Sequence, residues 1–112
     1  NHDLHGEAFN FGPQAQQNHS VLELVKEMSR RWSEVRWVEC ESQPSEFHES
    51  GLLKLNCDKA LHFLNWHAVL SFEETVALTT DWYRSFYDEP GSIREVTNKQ
   101  IDDYSKKLSF LI

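Results

Sequence analysis

The chain has 112 residues, of which 39% are hydrophobic and 12% aromatic, so it can build the core of one small domain. Its 18 acidic and 11 basic side chains give a formal charge of −7. This balance argues against a nucleic acid partner, because binding a phosphate backbone requires a basic face. No apolar run approaches the roughly 18 residues that a membrane helix needs, so we expect no membrane partner.

The N-terminus and the cysteines favour a cytoplasmic location. The first residues, NHDLHGEAF, lack the basic start and the apolar stretch of a signal peptide. They also lack a start methionine, and we therefore expect the chain to be part of a longer protein. Cys40 and Cys57 do not make a disulfide framework and are expected to be reduced. His62 and His67 have a tolerable metal-ligand spacing, but a second ligand pair is missing, so no metal is predicted.

A strand–helix–strand pattern is predicted near the N-terminus. Residues 7–12 alternate Phe9 and Phe11 with smaller side chains, which is typical of a strand. Ser20 and Glu23 have the spacing of a capping box, and apolar residues then recur at helical spacing. Residues 35–38 are β-branched and aromatic, which predicts a second strand. We therefore predict an α/β fold, a mainly helical lobe with a short parallel βαβ strand pair.

Three further helices are predicted after the polar loop of residues 39–51. The first begins near Asn56, an N-cap residue, and ends at Asn65 in a left-handed conformation. The second begins at the capping box of Ser71 and Glu74 and stops at the Asp88–Gly91 break. The third is predicted to begin at Thr97-x-x-Gln100, read as another capping box, and to end near residue 109.

Candidate chemistry is sparse on the residues alone. The sequence contains no G-x-G-x-x-G loop for a dinucleotide and no Tyr-x-x-x-Lys motif. The pair His48 and Glu49 lies in a polar loop, where binding groups often concentrate. A solvated acidic loop is the plainer alternative for this pair and stays open. The residues by themselves therefore indicate a small acidic α/β piece that is not catalytic on its own.

Several motifs also follow one another in a characteristic order over residues 6–108: GEAFNFGP, VLELV, the Trp-containing segment 35–38, P-x-x-x-H-E-x-x-x-L-K-L-N, KA-x-x-x-L-N-W, T-x-x-W-Y and T-x-x-Q-I-x-x-Y. This ordered set resembles the C-terminal lobe of extended short-chain dehydrogenases/reductases of the NAD-dependent epimerase/dehydratase family. The H-E segment and the last motif resemble the CDP-glucose 4,6-dehydratase branch. Three positions depart from that pattern, namely Ser50, Asn56 and Asn65, and none of them bears on catalysis.

The resemblance implies that residues 1–112 form one nucleotide-sugar-binding lobe, with residues 92–112 as its C-terminal helical tail. In that family the NAD site and the catalytic Tyr and Lys lie in an N-terminal Rossmann domain, which these residues do not contain. The implied whole enzyme is a cytoplasmic lyase of O-antigen or deoxysugar biosynthesis. It oxidises the sugar of CDP-glucose at C4, eliminates water across C5–C6 and reduces C6, with NAD as cofactor.

For this chain the resemblance implies no catalytic residue, no cofactor of its own, a CDP-sugar ligand, a Rossmann-domain partner and a homo-oligomer. The residues expected to bind the nucleotide sugar are His48, Glu49 and, at the strand end, Asn10. Their side chains can donate to phosphate oxygens or accept from base amino and ribose hydroxyl groups.

Two alternatives remain open. The same helices can serve a stand-alone interaction or oligomerisation module, or the lobe of a related sugar-nucleotide epimerase or dehydratase. A lobe separated from a Rossmann partner should expose apolar surface beyond the few hundred Å² that is usual for monomers. A polar surface all round would favour the stand-alone module.

Overall fold

The computed structural model describes residues 2–14, 16–39 and 55–111. Within these ranges the chain forms four α-helices: α1 (Val21–Arg31), α2 (Asp58–Leu64), α3 (Phe72–Asp88) and α4 (Ile93–Phe110). Short 3₁₀ turns cover His2–Leu4 and Pro90–Ser92. None of these helices combines the length and the hydrophobicity that a bilayer crossing requires, over the ranges just given.

The chain divides into two compact units. Unit 1 consists of Asn1–Asn18 and Ser42–Ala68, and unit 2 consists of His19–Glu41 and Val69–Ile112. Unit 1 therefore contains α2, whereas α1, α3 and α4 belong to unit 2. The organisation of residues 1–112 as a single ligand-binding lobe stays a prediction.

The predicted α/β fold class with its βαβ strand pair is wrong, because the described residues form helices and no strand. Residues 7–12 and 35–38 have irregular backbone without ladder hydrogen bonds. The two segments belong to different units. In the first segment the aromatic rings pack on other side chains of unit 1, with Phe11 edge-on to Trp66 at 4.9 Å between centroids. Alternating aromatic and small residues can pack on any half-buried surface. Here that surface is formed by other side chains and not by a neighbouring strand.

The capping boxes predicted for α1 and α3 are confirmed. The amide of Glu23 donates to the Ser20 hydroxyl at 3.1 Å, and the Glu23 carboxylate accepts from the Ser20 amide at 3.3 Å. At α3 the reciprocal distances between Ser71 and Glu74 are 3.1 and 2.9 Å. Each box satisfies amides that the first helical turn leaves without an internal partner.

The predicted capping box at Thr97 is wrong, because α4 begins four residues earlier, at Ile93. Thr97 lies inside the helix, where its hydroxyl donates to the Ile93 carbonyl at 2.8 Å. Pro90 pre-sets the 3₁₀ turn that leads into the helix, which explains the earlier start. The predicted end near residue 109 is confirmed within one residue.

Helix α2 ends as the sequence predicts. Asn65 adopts the left-handed conformation with φ 52° and ψ 35°. Its amide donates to the Leu61 carbonyl at 3.0 Å, and the next amide, that of Trp66, reaches the Ala60 carbonyl at 3.2 Å. At the other end the N-cap is Cys57, one residue later than predicted, but the Asn56 side chain still accepts from the first helical amide, that of Asp58, at 2.8 Å.

Helix α3 is the centre of unit 2. It packs against α1 and against α4, and its Val76 and Thr80 are 2% and 0% exposed. Two side chains tie α3 to α4: the Trp82 indole donates to the Thr97 hydroxyl at 2.8 Å, and the Gln100 amide donates to the Leu78 carbonyl at 2.8 Å. The buried contacts of α3 therefore fix the positions of α1 and α4 within this unit.

Candidate functional site

Asn10 lies on the exposed side of the irregular segment in unit 1. Phe9 and Phe11 flank it, and their rings are 6.5 Å apart. Phe11 packs on Trp66, and the Lys59 ammonium lies 5.0 Å from the centroid of Phe9. The neighbours of Asn10 thus hold the segment by their rings, while the Asn10 carboxamide faces solvent with both donor and acceptor atoms.

Lys59 is the cation that the structure places beside this segment. Its ammonium lies 2.7 Å from a carboxylate oxygen of Glu7 and also over the ring of Phe9. The hydrogen bond from Lys59, together with its charge, lowers the pKa of Glu7 below its ordinary value. Lys59 belongs to the KA-x-x-x-L-N-W motif, but nothing in that motif indicates a role for its charge. Its position beside Glu7 and Phe9 depends on contacts across about fifty residues, which local sequence patterns do not report.

His48 and Glu49, the other predicted ligand-binding residues, lie outside the described residues. They stay a prediction. Of the three residues named from the sequence, Asn10 is therefore the one whose surroundings are known.

Three arginines of unit 2 contact carboxylates. Arg31 forms a two-point contact with Asp81, with nitrogen–oxygen distances of 3.3 and 2.9 Å, and this contact raises the pKa of Arg31. Arg30 pairs with Glu27 at 3.2 Å, and Arg84 approaches Asp88 at 3.7 Å. Each of these three arginines therefore has a carboxylate partner, as Lys59 has in Glu7.

The described part of unit 2 contains three cavities. One of about 290 Å³ lies between α3 and α4 and has an apolar floor that includes Leu78 and Tyr104. A second, of about 450 Å³, lies at the α3–α4 corner and is lined mainly by charged and hydroxyl side chains. The third, of about 310 Å³, opens where α1 ends beside Arg84. The second cavity is lined by more acidic than basic side chains, whereas the third is lined by three arginines and two acidic side chains.

His62 and His67 are both exposed. Over residues 2–14, 16–39 and 55–111, no three or more His, Cys, Asp and Glu side chains converge as a metal site would require. Cys57 is a free, half-buried thiol that points to the backbone carbonyls of Gly12 and Leu55 at 3.9 and 3.7 Å.

Comparison with known proteins gives one informative match. The chain is 32% identical over 82 residues to the CDP-glucose 4,6-dehydratase of Salmonella typhimurium. The aligned region covers 71% of this chain but 22% of that enzyme, so the chain spans about a fifth of the length of its relative. This match supports a distant relationship to part of that enzyme. No protein-family model matches the chain, and no solved structure matches it.

Proposed function

We propose that the chain is a nucleotide-sugar-binding portion of an enzyme related to CDP-glucose 4,6-dehydratase. The observation that carries the proposal is the 32% identity over 82 residues to such an enzyme. The motif order over residues 6–108 supports the same relationship. In this proposal the chain binds CDP-glucose and contributes no catalytic side chain, while NAD and the catalytic groups belong to a Rossmann domain elsewhere in the enzyme.

The surroundings of Asn10 support a ligand-binding role for unit 1. An exposed asparagine follows one phenylalanine and precedes another in the sequence, the two phenylalanine rings are 6.5 Å apart, and a lysine ammonium lies over one of them. A diphosphate needs only one or two local cations, and Lys59 can supply one by exchanging its contact with Glu7 for a phosphate oxygen. Asn10 is then placed for a hydrogen bond to a phosphate or to the base. His48 and Glu49 are proposed to complete the site.

The distribution of apolar surface also supports a lobe that packs against further protein. Exposed large hydrophobic side chains occur in both units: Phe11, Leu55, Leu61, Phe63 and Leu64 in unit 1, and Val21, Leu24, Trp37, Val38, Tyr83, Phe86, Tyr87, Ile101, Phe110 and Leu111 in unit 2. Single exposed apolar residues are ordinary, but clusters of them mark interaction surfaces. These exposed side chains support the proposal of a domain partner.

Calorimetric titration with CDP-glucose tests the proposal. Titrations with UDP-glucose and dTDP-glucose, which carry a different base, serve as controls. We expect selective binding of CDP-glucose that is weak, because a site between domains needs both walls. Asn10→Ala and Lys59→Ala should each weaken it roughly threefold to tenfold, as expected for the loss of one hydrogen bond. Arg94→Ala, an exposed change in α4, is the matched control and should leave binding unchanged. Equal affinity for all three nucleotide sugars would contradict the proposal.

A further inference from the structure

The cavity of about 290 Å³ between α3 and α4 is a cleft whose floor is one side of α3. Four lining residues recur at i, i+3, i+4 and i+7, so they share that side of the helix: Glu74, Ala77, Leu78 and Asp81. Leu70, which precedes the helix, adds to the apolar part of the lining. The floor therefore has an apolar centre with a carboxylate towards each end.

An ion pair closes each end of this cleft. Lys107 of α4 pairs with Glu74, and Arg31 of α1 pairs with Asp81 at 2.9 Å. The two carboxylates are seven residues apart, which corresponds to about 10 Å along a helix. The apolar floor between the two pairs is thus long enough for an aromatic ring with a short side arm.

The wall formed by α4 adds polar groups that these two ion pairs do not use. Asp103 and Tyr104 both line the cleft. Lys99 binds Oδ2 of Asp103 at 2.8 Å, and Oδ1 has no hydrogen-bond partner among the described residues. The same is true of the Tyr104 hydroxyl over the part of the chain that the structure describes. A ligand in the cleft can therefore donate to a carboxylate oxygen and to a phenol oxygen.

The charges of the lining favour a cation over an anion. Three carboxylates and two cationic side chains line the cleft. The hydrogen bond from Lys99 lowers the pKa of Asp103, and the one from Lys107 lowers the pKa of Glu74 to about 2. Both groups are therefore charged at neutral pH. The contact of Lys99 with Asp103 is exposed and contributes little energy, so a ligand cation can share that carboxylate.

We propose that this cleft binds a small amine that carries an aromatic ring, with the ring on Ala77 and Leu78 and the ammonium group beside Asp103 and Tyr104. A rigid ring covers a large apolar area, and the Tyr104 ring attracts a cation. The proposal does not depend on the nucleotide-sugar function, because every residue that it uses belongs to unit 2. Since the cleft is open, we expect weak binding, with a Kd of about 1 mM.

Tryptamine is a suitable probe, because two carbon atoms join its indole ring to an ammonium group. Titration of the 112-residue chain, followed by amide NMR, should shift the signals of Ala77, Leu78 and Tyr104. The compound 3-indolepropionate has the same ring and linker but ends in a carboxylate. Ethylammonium keeps the cation and lacks the ring. Both should bind at least about tenfold more weakly, because each lacks one of the two features that the cleft recognises.

Two substitutions separate the polar and the apolar part of the site. Asp103→Asn should raise the Kd of tryptamine roughly threefold to tenfold, the range for one charge-assisted hydrogen bond at a partly exposed position. Asp102→Asn is the matched control, since it removes the same charge at a neighbouring exposed residue that does not line the cleft. It should change the Kd less than about twofold at physiological salt. Ala77→Leu keeps every charge but fills the floor, so it should abolish the shifts.

Circular dichroism checks that each variant keeps its helices. The proposal is wrong if tryptamine causes no shifts at about 10 mM, well above the expected Kd. It is equally wrong if 3-indolepropionate binds as tightly as tryptamine, because the charge of the cleft then selects nothing. An equal loss of affinity in Asp102→Asn and Asp103→Asn would also overturn it, since the net charge of the chain and not the cleft would then attract the amine.

Discussion

The two units of the chain are stabilised in different ways. Unit 2 is built from three helices whose ends are set by local signals and whose faces are joined by polar contacts such as Trp82–Thr97 and Arg31–Asp81. In the described part of unit 1, one helix of seven residues is joined to an irregular segment by the contacts of Phe11 with Trp66 and of Glu7 with Lys59. Local signals mark the beginnings of α1 and α3 and the end of α2, whereas the contacts that join separate segments connect residues up to about fifty positions apart in both units.

The largest effect is expected from a substitution that breaks the connection between α3 and α4 in unit 2. Trp82→Ala removes both the ring stacked on Phe86 and the donor to Thr97. We expect a loss of about 3 kcal/mol in the free energy of unfolding, measured by urea denaturation. Trp82→Phe keeps a ring and loses only the donor, so it should cost about 1 kcal/mol. If both variants unfold as the unaltered chain does, α3 and α4 are not coupled through this residue.

Removing a buried hydroxyl group should stabilise the same unit. Thr80 is fully buried, and its Oγ1 has no hydrogen-bond partner among the described residues. An unsatisfied buried hydroxyl costs roughly 1–3 kcal/mol. Thr80→Val keeps the shape and removes this cost, so thermal unfolding should show a gain of about 1 kcal/mol. The matched control is Thr97→Val, which should lose stability because that hydroxyl both donates and accepts. A loss at both positions would show that Thr80 is satisfied in solution.

Substitutions at Asn65, where α2 ends, test the stability of α2 within unit 1. Asn65 has φ 52°, a conformation that costs a residue with a Cβ atom about 1 kcal/mol, though less for Asn than for most others. Asn65→Gly should therefore raise the hydrogen-exchange protection of α2, and Asn65→Ala should lower it. Protection in α3 serves as the internal control and should not change. Equal protection in all three proteins would mean that the left-handed stop does not limit the stability of α2.

The smallest effect is a pH dependence in unit 2. The hydrogen bond from Lys107, followed by the one from the Ser71 amide, lowers the pKa of Glu74 from 4.5 to about 2. The stability that this carboxylate contributes is complete above its unfolded pKa near 4.5 and is lost as the pH falls through about 2. Urea midpoints should decline over this window, and the decline should be smaller in Glu74→Gln. The exposed position of Glu74 and screening by salt keep the effect small.

Much of unit 2 could be predicted from the sequence because its helix ends use local signals. The capping boxes at Ser20 and Ser71 lie within four residues of the helices that they begin, and the left-handed stop at Asn65 in unit 1 is equally local. Thr97 and Gln100 have the same spacing as a capping box, but their polar groups bond to α3. Spacing alone cannot distinguish a cap from two polar residues on one helical face.

The predicted strands and the site show where local patterns fail. A strand requires a partner elsewhere in the chain, and the alternation around Phe9 and Phe11 says nothing about whether one is present. Exposure along residues 7–12 does not alternate either, since Asn10 and the neighbouring Phe11 are both exposed. Lys59 was missed because its relevance comes from contacts with Glu7 and Phe9, about fifty residues away.

The measurement that tests the proposed function most directly is a residue-by-residue amide NMR titration with CDP, with UDP and dTDP as controls. The account predicts CDP-selective shifts at Asn10, Lys59, His48 and Glu49, with no shifts along α3 and α4 of unit 2. Shifts confined to the arginine-lined cavity beside Arg84, or equal shifts with all three nucleotides, would contradict it.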